Sequence, residues 1–264
     1  MRRVTVVMIF LVAVLALPAV LAQTEATGEL EFRANGEDFV REGFVSKDNW
    51  TINFDHVYVS VSNVRAYQTE PPYDPFAGEL TRSQNMVGLP GQYVVDLAEG
   101  DENADTILLG TVGDAAEGYY NAVGWIMSPA ESGEYEGQTV VMEGTAEKDG
   151  ESITFTIMTD KTMQYTCGAF IGDERKGILQ ADSGGEVELT FHFDHIFGDI
   201  DLETDDPLNV TAPGFDPFAA LAVNGVVEAD TERMVSDMDA DAFQMFVDIL
   251  PSLGHTGEGH CHEY

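Results

Sequence analysis

QTVVMEGTAEK at 138–148, the pair Asp149-Gly150 and SITFTIMT at 152–159 decide the fold class of this chain. In the second arm Ile153, Phe155 and Ile157 point one way while Thr154 and Thr156 point the other. Such alternation suits a strand with one buried face, and Asp-Gly between two such runs is the turn chemistry of a type I′ hairpin. The pattern extends outward in both directions. GELEFRA at 28–34 alternates cleanly, and Trp50, Ile52 and Phe54 share a face that Val57, Val59 and Val61 continue after a register flip around Asp55-His56. Residues 92–97, 119–127, 163–170 and 186–193 read as further strands, with Val187, Leu189, Phe191 and Phe193 opposite Glu186, Glu188, Thr190 and His192. Many short strands separated by Gly, Asp and Asn turns predict a mostly β protein, an antiparallel β-sandwich of immunoglobulin-like or jelly-roll-like type. The proline-rich stretch 68–90 reads as a surface excursion.

The ends of the chain differ from this middle. Residues 1–22 read as a secretory signal peptide: Arg2 and Arg3, an apolar run, then Val20-Leu21-Ala22 before Gln23. No later stretch approaches the ~18 apolar residues of a membrane span, and no Cys follows the cleavage site to carry a lipid. The expectation is a secreted or periplasmic protein with a β domain at 23–200. Residues 201–264 form an acidic, partly helical C-terminal extension with a His/Cys-rich tail. Residues 218–223 suit a short helix. Residues 239–250 suit a better one, with acids at its start and Phe243, Phe246, Val247 and Leu250 on one stripe.

The chain of 264 residues carries 47 Asp+Glu against 12 Lys+Arg, a net charge of −35. Loss of residues 1–22 removes two arginines and no acid, leaving −37. Nothing here could release phosphate counterions, so nucleic acid is excluded as a partner. The acidity fits either a halophilic setting, where salt screens the repulsion, or binding of divalent cations, the salt account being the simpler. A hydrophobic content of 44% argues against disorder.

Chemistry concentrates in the histidines. Five of six lie in two clusters, His192-Phe193-Asp194-His195 and the tail His255-Thr256-Gly257-Glu258-Gly259-His260-Cys261-His262-Glu263. Imidazole and carboxylate at such spacing are what copper or zinc requires. On a regular strand His192 and Asp194 share a face, and His195 points away unless the strand ends or bulges there. The glycines of the tail let His255, His260 and His262 turn toward a common centre. With two cysteines and an oxidising compartment, a Cys167–Cys261 disulfide is the default; it would pin the tail to the strand at 163–170. A free Cys261 would instead be a soft metal ligand. The plainer alternatives are a solvent-facing His192, a His195 bonded to Asp194, and a tail of no functional weight. His56, in the second Phe-Asp-His of the chain, reads as a satisfied, partly buried histidine.

Other motifs are weaker. The acidic run 199–206 is dense in oxygens but is not an EF-hand, since Thr204 and Val210 stand where glycine and the closing acid belong. Asn49-Trp50-Thr51 and Asn209-Val210-Thr211 match the glycosylation tripeptide. Gly-x-Ser-x-Gly, His-Glu-x-x-His, a phosphate loop and Cys-x-x-Cys are all missing.

The segments HVYVSVSNVR at 56–65, YVVDL at 93–97 and GYYNAVGW at 118–125 resemble, in that order, the MbnP-like family of periplasmic copper-binding proteins. The resemblance covers roughly residues 28–200 and implies an exported β-sandwich whose copper ligands include histidine. It does not map ligands residue by residue. The resulting expectation is a non-enzymatic protein binding copper, or alternatively zinc, through His192, His195, His260 and His262, with His255 and Asp194 next. Its role would be sequestration, or delivery to a transporter or another exported protein. The second reading is a cell-surface structural or adhesion module binding calcium through acidic loops, and the third a carboxylate-based hydrolase.

Overall fold

A computed structural model describes residues 26–80 and 82–264. The signal segment expected at 1–22 lies outside the described residues. Strands account for 45% of the structure and helices for 18%, a mostly β protein as expected. In chain order the first strands are β1 (Thr27–Asn35), β2 (Phe44–Val45), β3 (Thr51–Gln68), β4 (Asn85–Gly88), β5 (Gln92–Asp96) and β6 (Ile107–Ala116). Next come β7 (Gly118–Tyr119), β8 (Ala122–Met127), β9 (Val140–Lys148), β10 (Glu151–Thr159) and β11 (Met163–Cys167). The last are β12 (Ile178–Leu179), β13 (Gly184–Phe191), β14 (Val226–Ala229), β15 (Gly254–Thr256) and β16 (Gly259–Glu263). Among the described residues six short α-helices accompany them, α1 (Glu37–Glu42), α2 (Asp194–Phe197), α3 (Pro207–Thr211), α4 (Asp216–Ala219), α5 (Thr231–Asp237) and α6 (Ala240–Ile249), with 3-10 turns at Pro75–Ala77 and Leu250–Leu253.

The deciding hairpin forms as its sequence requires. β9 and β10 pair antiparallel from Lys148↔Glu151 to Val140↔Thr159, and Asp149 and Gly150 hold φ of 53° and 86°. The flip at Asp55-His56 is a β-bulge: Phe54 stands opposite Gly144 and His56 opposite Glu143, leaving Asp55 unpaired. Gly144 is required there, because a Cβ on it would lie 2.1 Å from the Asn53 carbonyl oxygen. α6 starts where its acids suggest, Asp239 accepting hydrogen bonds from the amides of Asp241 and Ala242.

One large curled sheet runs in the order β14-β10-β9-β3-β8-β11-β16-β15-β13-β1-β6, with β2, β4 and β5 on the remaining edge of β3. Its far end comes back so that β6 packs against β4 and β5. The expectation of a purely antiparallel sheet is corrected here: β1 runs parallel to β13, and β10 parallel to β14. Alternation within a strand reports which face is buried, not which way its neighbour runs, so residue pattern alone could not reveal this. Residues after 200 contribute β14, β15 and β16 to this same sheet. The tail is therefore a β-hairpin inserted between β11 and β13 rather than a loose glycine-rich segment.

Inside the curl Phe32, Trp125, Phe155, Tyr165, Phe191, Phe193, Phe197 and Phe215 are fully buried. Each such side chain contributes roughly 1.5–3 kcal/mol by removal from water. β13 is covered on both faces, with Glu188 and Thr190 buried as well as Val187, Leu189 and Phe191, and His192 just beyond its end is buried too. A solvent-facing His192 is thereby ruled out. Cys167 and Cys261 form a disulfide between the paired strands β11 and β16. No helix among the described residues is long and apolar enough to cross a membrane.

Candidate metal centre

β13 stops at Phe191, and the change of backbone there builds the site. The His192 amide donates to the Leu253 carbonyl at 3.0 Å, and α2 then turns the chain through Asp194 and His195. Gly198, at φ 69°, ends that turn by donating its amide to the Asp194 carbonyl. The strand thus ends where the chain would otherwise carry His195 to the opposite face. One ligand atom each from His192, Asp194 and His195 lies within 4.8 Å of the others.

The tail hairpin supplies the other side. Within the sheet Thr190 pairs with His255 and His255 with His260, so β13, β15 and β16 present these side chains on one face. The ring of His255 lies 4.3 Å from that of His192 and 5.2 Å from that of His195, centroid to centroid. His260 is exposed at the rim, its ring 5.3 Å from His255. His262 packs edge-on against Tyr264 instead. The fold therefore brings together His192, Asp194, His195 and His255, with His260 alongside.

Each of the three inner imidazoles is tied to a backbone carbonyl. His195 Nδ1 and His255 Nε2 both donate to the Ser252 carbonyl, at 3.0 and 3.1 Å, and His192 Nε2 reaches the Gly257 carbonyl at 3.4 Å. A carbonyl oxygen only accepts, so the proton sits on the bonded nitrogen and the other nitrogen carries a lone pair. The nitrogens left to coordinate are His192 Nδ1, His195 Nε2 and His255 Nδ1. Fixing an imidazole through its second nitrogen is the usual way to orient a metal ligand.

Two polar atoms here lack a partner. Asp194 Oδ1 and His255 Nδ1 are buried and make no hydrogen bond among the described residues. Asp194 is 7% exposed and His255 6%, and Asp194 Oδ1 lies 3.8 Å from His192 Nδ1. An orphaned buried acceptor costs about 1–3 kcal/mol, and a cation bound in this cluster would relieve both. Burial lowers the His195 pKa; burial, reinforced by the imidazoles of His192, His195 and His260, pushes His255 down to about 3. Both rings are neutral at pH 7 and their lone pairs are free. Three imidazoles and one carboxylate form a donor set suited to zinc or copper. No family model, curated protein or solved structure matches the chain.

Residues outside the clusters complete the surroundings. Glu37, at the start of α1, places Oε1 4.0 Å from His192 Nε2, and burial raises its pKa. Thr190 Oγ accepts from the Gly257 amide at 2.7 Å and donates to Glu188 Oε1 at 3.1 Å, and Glu188 pairs with Lys176. Nothing in the local pattern marked Glu37 or Ser252; Asn35-Gly36 signals only a turn.

The remaining candidates lie elsewhere. His56 is exposed rather than partly buried, and its Nδ1 bonds Asp96 Oδ2 at 2.7 Å. In the acidic run, the Asn209 side-chain amide donates to the carbonyls of Asp199, Leu202 and Glu203, and its Oδ1 accepts from the Asp199 amide. The Asn209 side chain thereby satisfies these backbone groups of the loop. The same bonds bury the Asn209 side chain and remove it from reach of glycosylation.

Proposed function

We propose that this protein binds one transition-metal ion, copper or zinc, between the end of β13 and the tail hairpin. We further propose that it acts outside the cytoplasm, holding the metal or passing it to another exported protein or a transporter. The observation that carries this reading is the pair of orphaned buried atoms, Asp194 Oδ1 and His255 Nδ1, among imidazoles fixed by backbone carbonyls. The ligands are His192, Asp194, His195 and His255, with His260 at the rim. A disulfide accords with an oxidising compartment, and the resemblance to MbnP-like copper-binding proteins, with the β-sandwich it implies, leads to the same reading. Calcium in the acidic run draws less support, since Asn209 already occupies its carbonyls.

The test is elemental analysis of the chain purified without an affinity tag or chelator, followed by titration of the metal-free protein with zinc(II) and copper(II). One ion per chain is expected. No bound metal and no uptake at micromolar concentration would overturn the proposal.

A further inference from the structure

Glu37 approaches the centre from outside both histidine clusters, and its surroundings are unusual in two ways. First, its Oε1 lies 4.0 Å from Nε2 of His192, the nitrogen whose proton is held by only a 3.4 Å contact to the Gly257 carbonyl. The lone pair of His192 is on Nδ1, toward Asp194. Carboxylate, imidazole and free lone pair therefore stand in the order found where an outer carboxylate aligns a metal-bound histidine, here at ion-pair rather than hydrogen-bond distance. Second, Glu37 holds φ of 61°, a left-handed backbone that L-residues with a Cβ seldom adopt. The Asn35 side chain maintains it: Oδ1 accepts from the Glu37 amide at 3.0 Å, and Nδ2 donates to Glu188 Oε1 at 3.2 Å. Glu186 and Glu188 are committed to Lys176, whereas among the described residues the Glu37 carboxylate pairs only with His192. A strained residue that aims a half-buried, otherwise unmatched carboxylate at a ligand ring points to a task beyond packing.

We infer that Glu37 is a positioning residue that orients His192 and makes the centre selective for a divalent ion. The inference rests on the metal-binding reading above. With both carboxylates ionised, a dication together with Asp194 and Glu37 is electroneutral, whereas a monocation leaves an uncompensated negative charge in a largely buried site.

The experiment measures zinc(II) and silver(I) affinity, silver serving as a redox-inert monovalent probe, in the wild-type chain, Glu37→Gln and Glu37→Gly, together with the melting temperature of each metal-free protein. Glu37→Gln keeps the shape and the polar oxygen of the side chain but removes the charge; it should weaken zinc by about 10–100-fold and leave silver unchanged. Glu37→Gly should lose the same zinc affinity while the metal-free melting temperature rises, because glycine takes positive φ without strain. A merely structural glutamate would not move affinity and stability in opposite directions. Zinc affinity of Glu37→Gln equal to wild type, or zinc and silver weakened alike, overturns the inference and leaves the metal site standing. A wild-type chain that takes up neither ion overturns the site and this inference together.

Discussion

Phe54-Asp55-His56 and Phe193-Asp194-His195 are the same tripeptide in two backbones, and they end with opposite chemistry. The first lies within β3 and is crossed by the bulge, which leaves Asp55 and His56 exposed. His56 bonds Asp96 and stacks on Tyr58 at 5.4 Å; the carboxylate raises its pKa. The second begins just past the end of β13 and winds into α2, which buries Asp194 and turns His195 inward, where burial lowers its pKa. One copy has spent its imidazole on a neighbouring carboxylate; the other holds its lone pair in reserve. What packs over a residue, rather than which residues flank it, decided between a surface ion pair and a candidate metal centre.

The sharpest way to break this contrast is to delete ligands on one side and the look-alike on the other. His192→Ala with His255→Ala should abolish zinc uptake at micromolar concentration, while His56→Ala should bind like wild type by isothermal titration. Retained uptake in the double variant would remove the distinction. Metal should also stabilise the wild type and His56→Ala, but not the double variant, by about 2.7 kcal/mol at a hundredfold excess over Kd.

The phenylalanines should separate next. Phe193 is fully buried in the core, and Phe193→Ala should cost about 3–5 kcal/mol in urea unfolding. Phe54, half-buried between Phe44 and Phe155, should lose roughly half as much. Equal losses would show that the two strand environments are energetically alike.

Acid should then pull the two regions apart. With its folded pKa near 3, His255 stays neutral while the unfolded chain takes up a proton below about 6.5, so the metal-free protein loses stability as pH falls between those values. The loss is on the order of a few kcal/mol. His56 has the opposite sign: its raised pKa contributes stability below the unfolded value, and that contribution disappears as pH rises through the folded one. Being exposed, it should give the smallest effect of all, detectable as a slight fall in melting temperature of His56→Ala at pH 5 and none at pH 9. A metal-free melting temperature unchanged between pH 7 and pH 4 would contradict the burial of His255.

Much of this was legible in the residues. Alternation located eight of the strand regions, Asp149-Gly150 marked the tight hairpin, and the phase change at Asp55-His56 marked the bulge. Two cysteines defined the disulfide, and Asp239 with the stripe behind it defined α6. These are local properties, set by which side chains a few consecutive residues can bury or cap. β6, with Gly110 and Gly113 and an irregular alternation, escaped that reading, as did the short strands of the tail.

For the site, the sequence by itself determined the ligand chemistry, imidazoles and a carboxylate close together at 192–195 and again at 255–262. Only the tertiary structure decided which of them meet. Insertion of the tail hairpin between β11 and β13 sets His255 against His192 and His262 against Tyr264, and the turn of α1 delivers Glu37 from the far end of the chain. The parallel pairing of β1 with β13, joining residues about 155 positions apart, belongs to the same class of fact. Such pairings are selected by the shape of the whole buried core, so no short stretch of residues contains them.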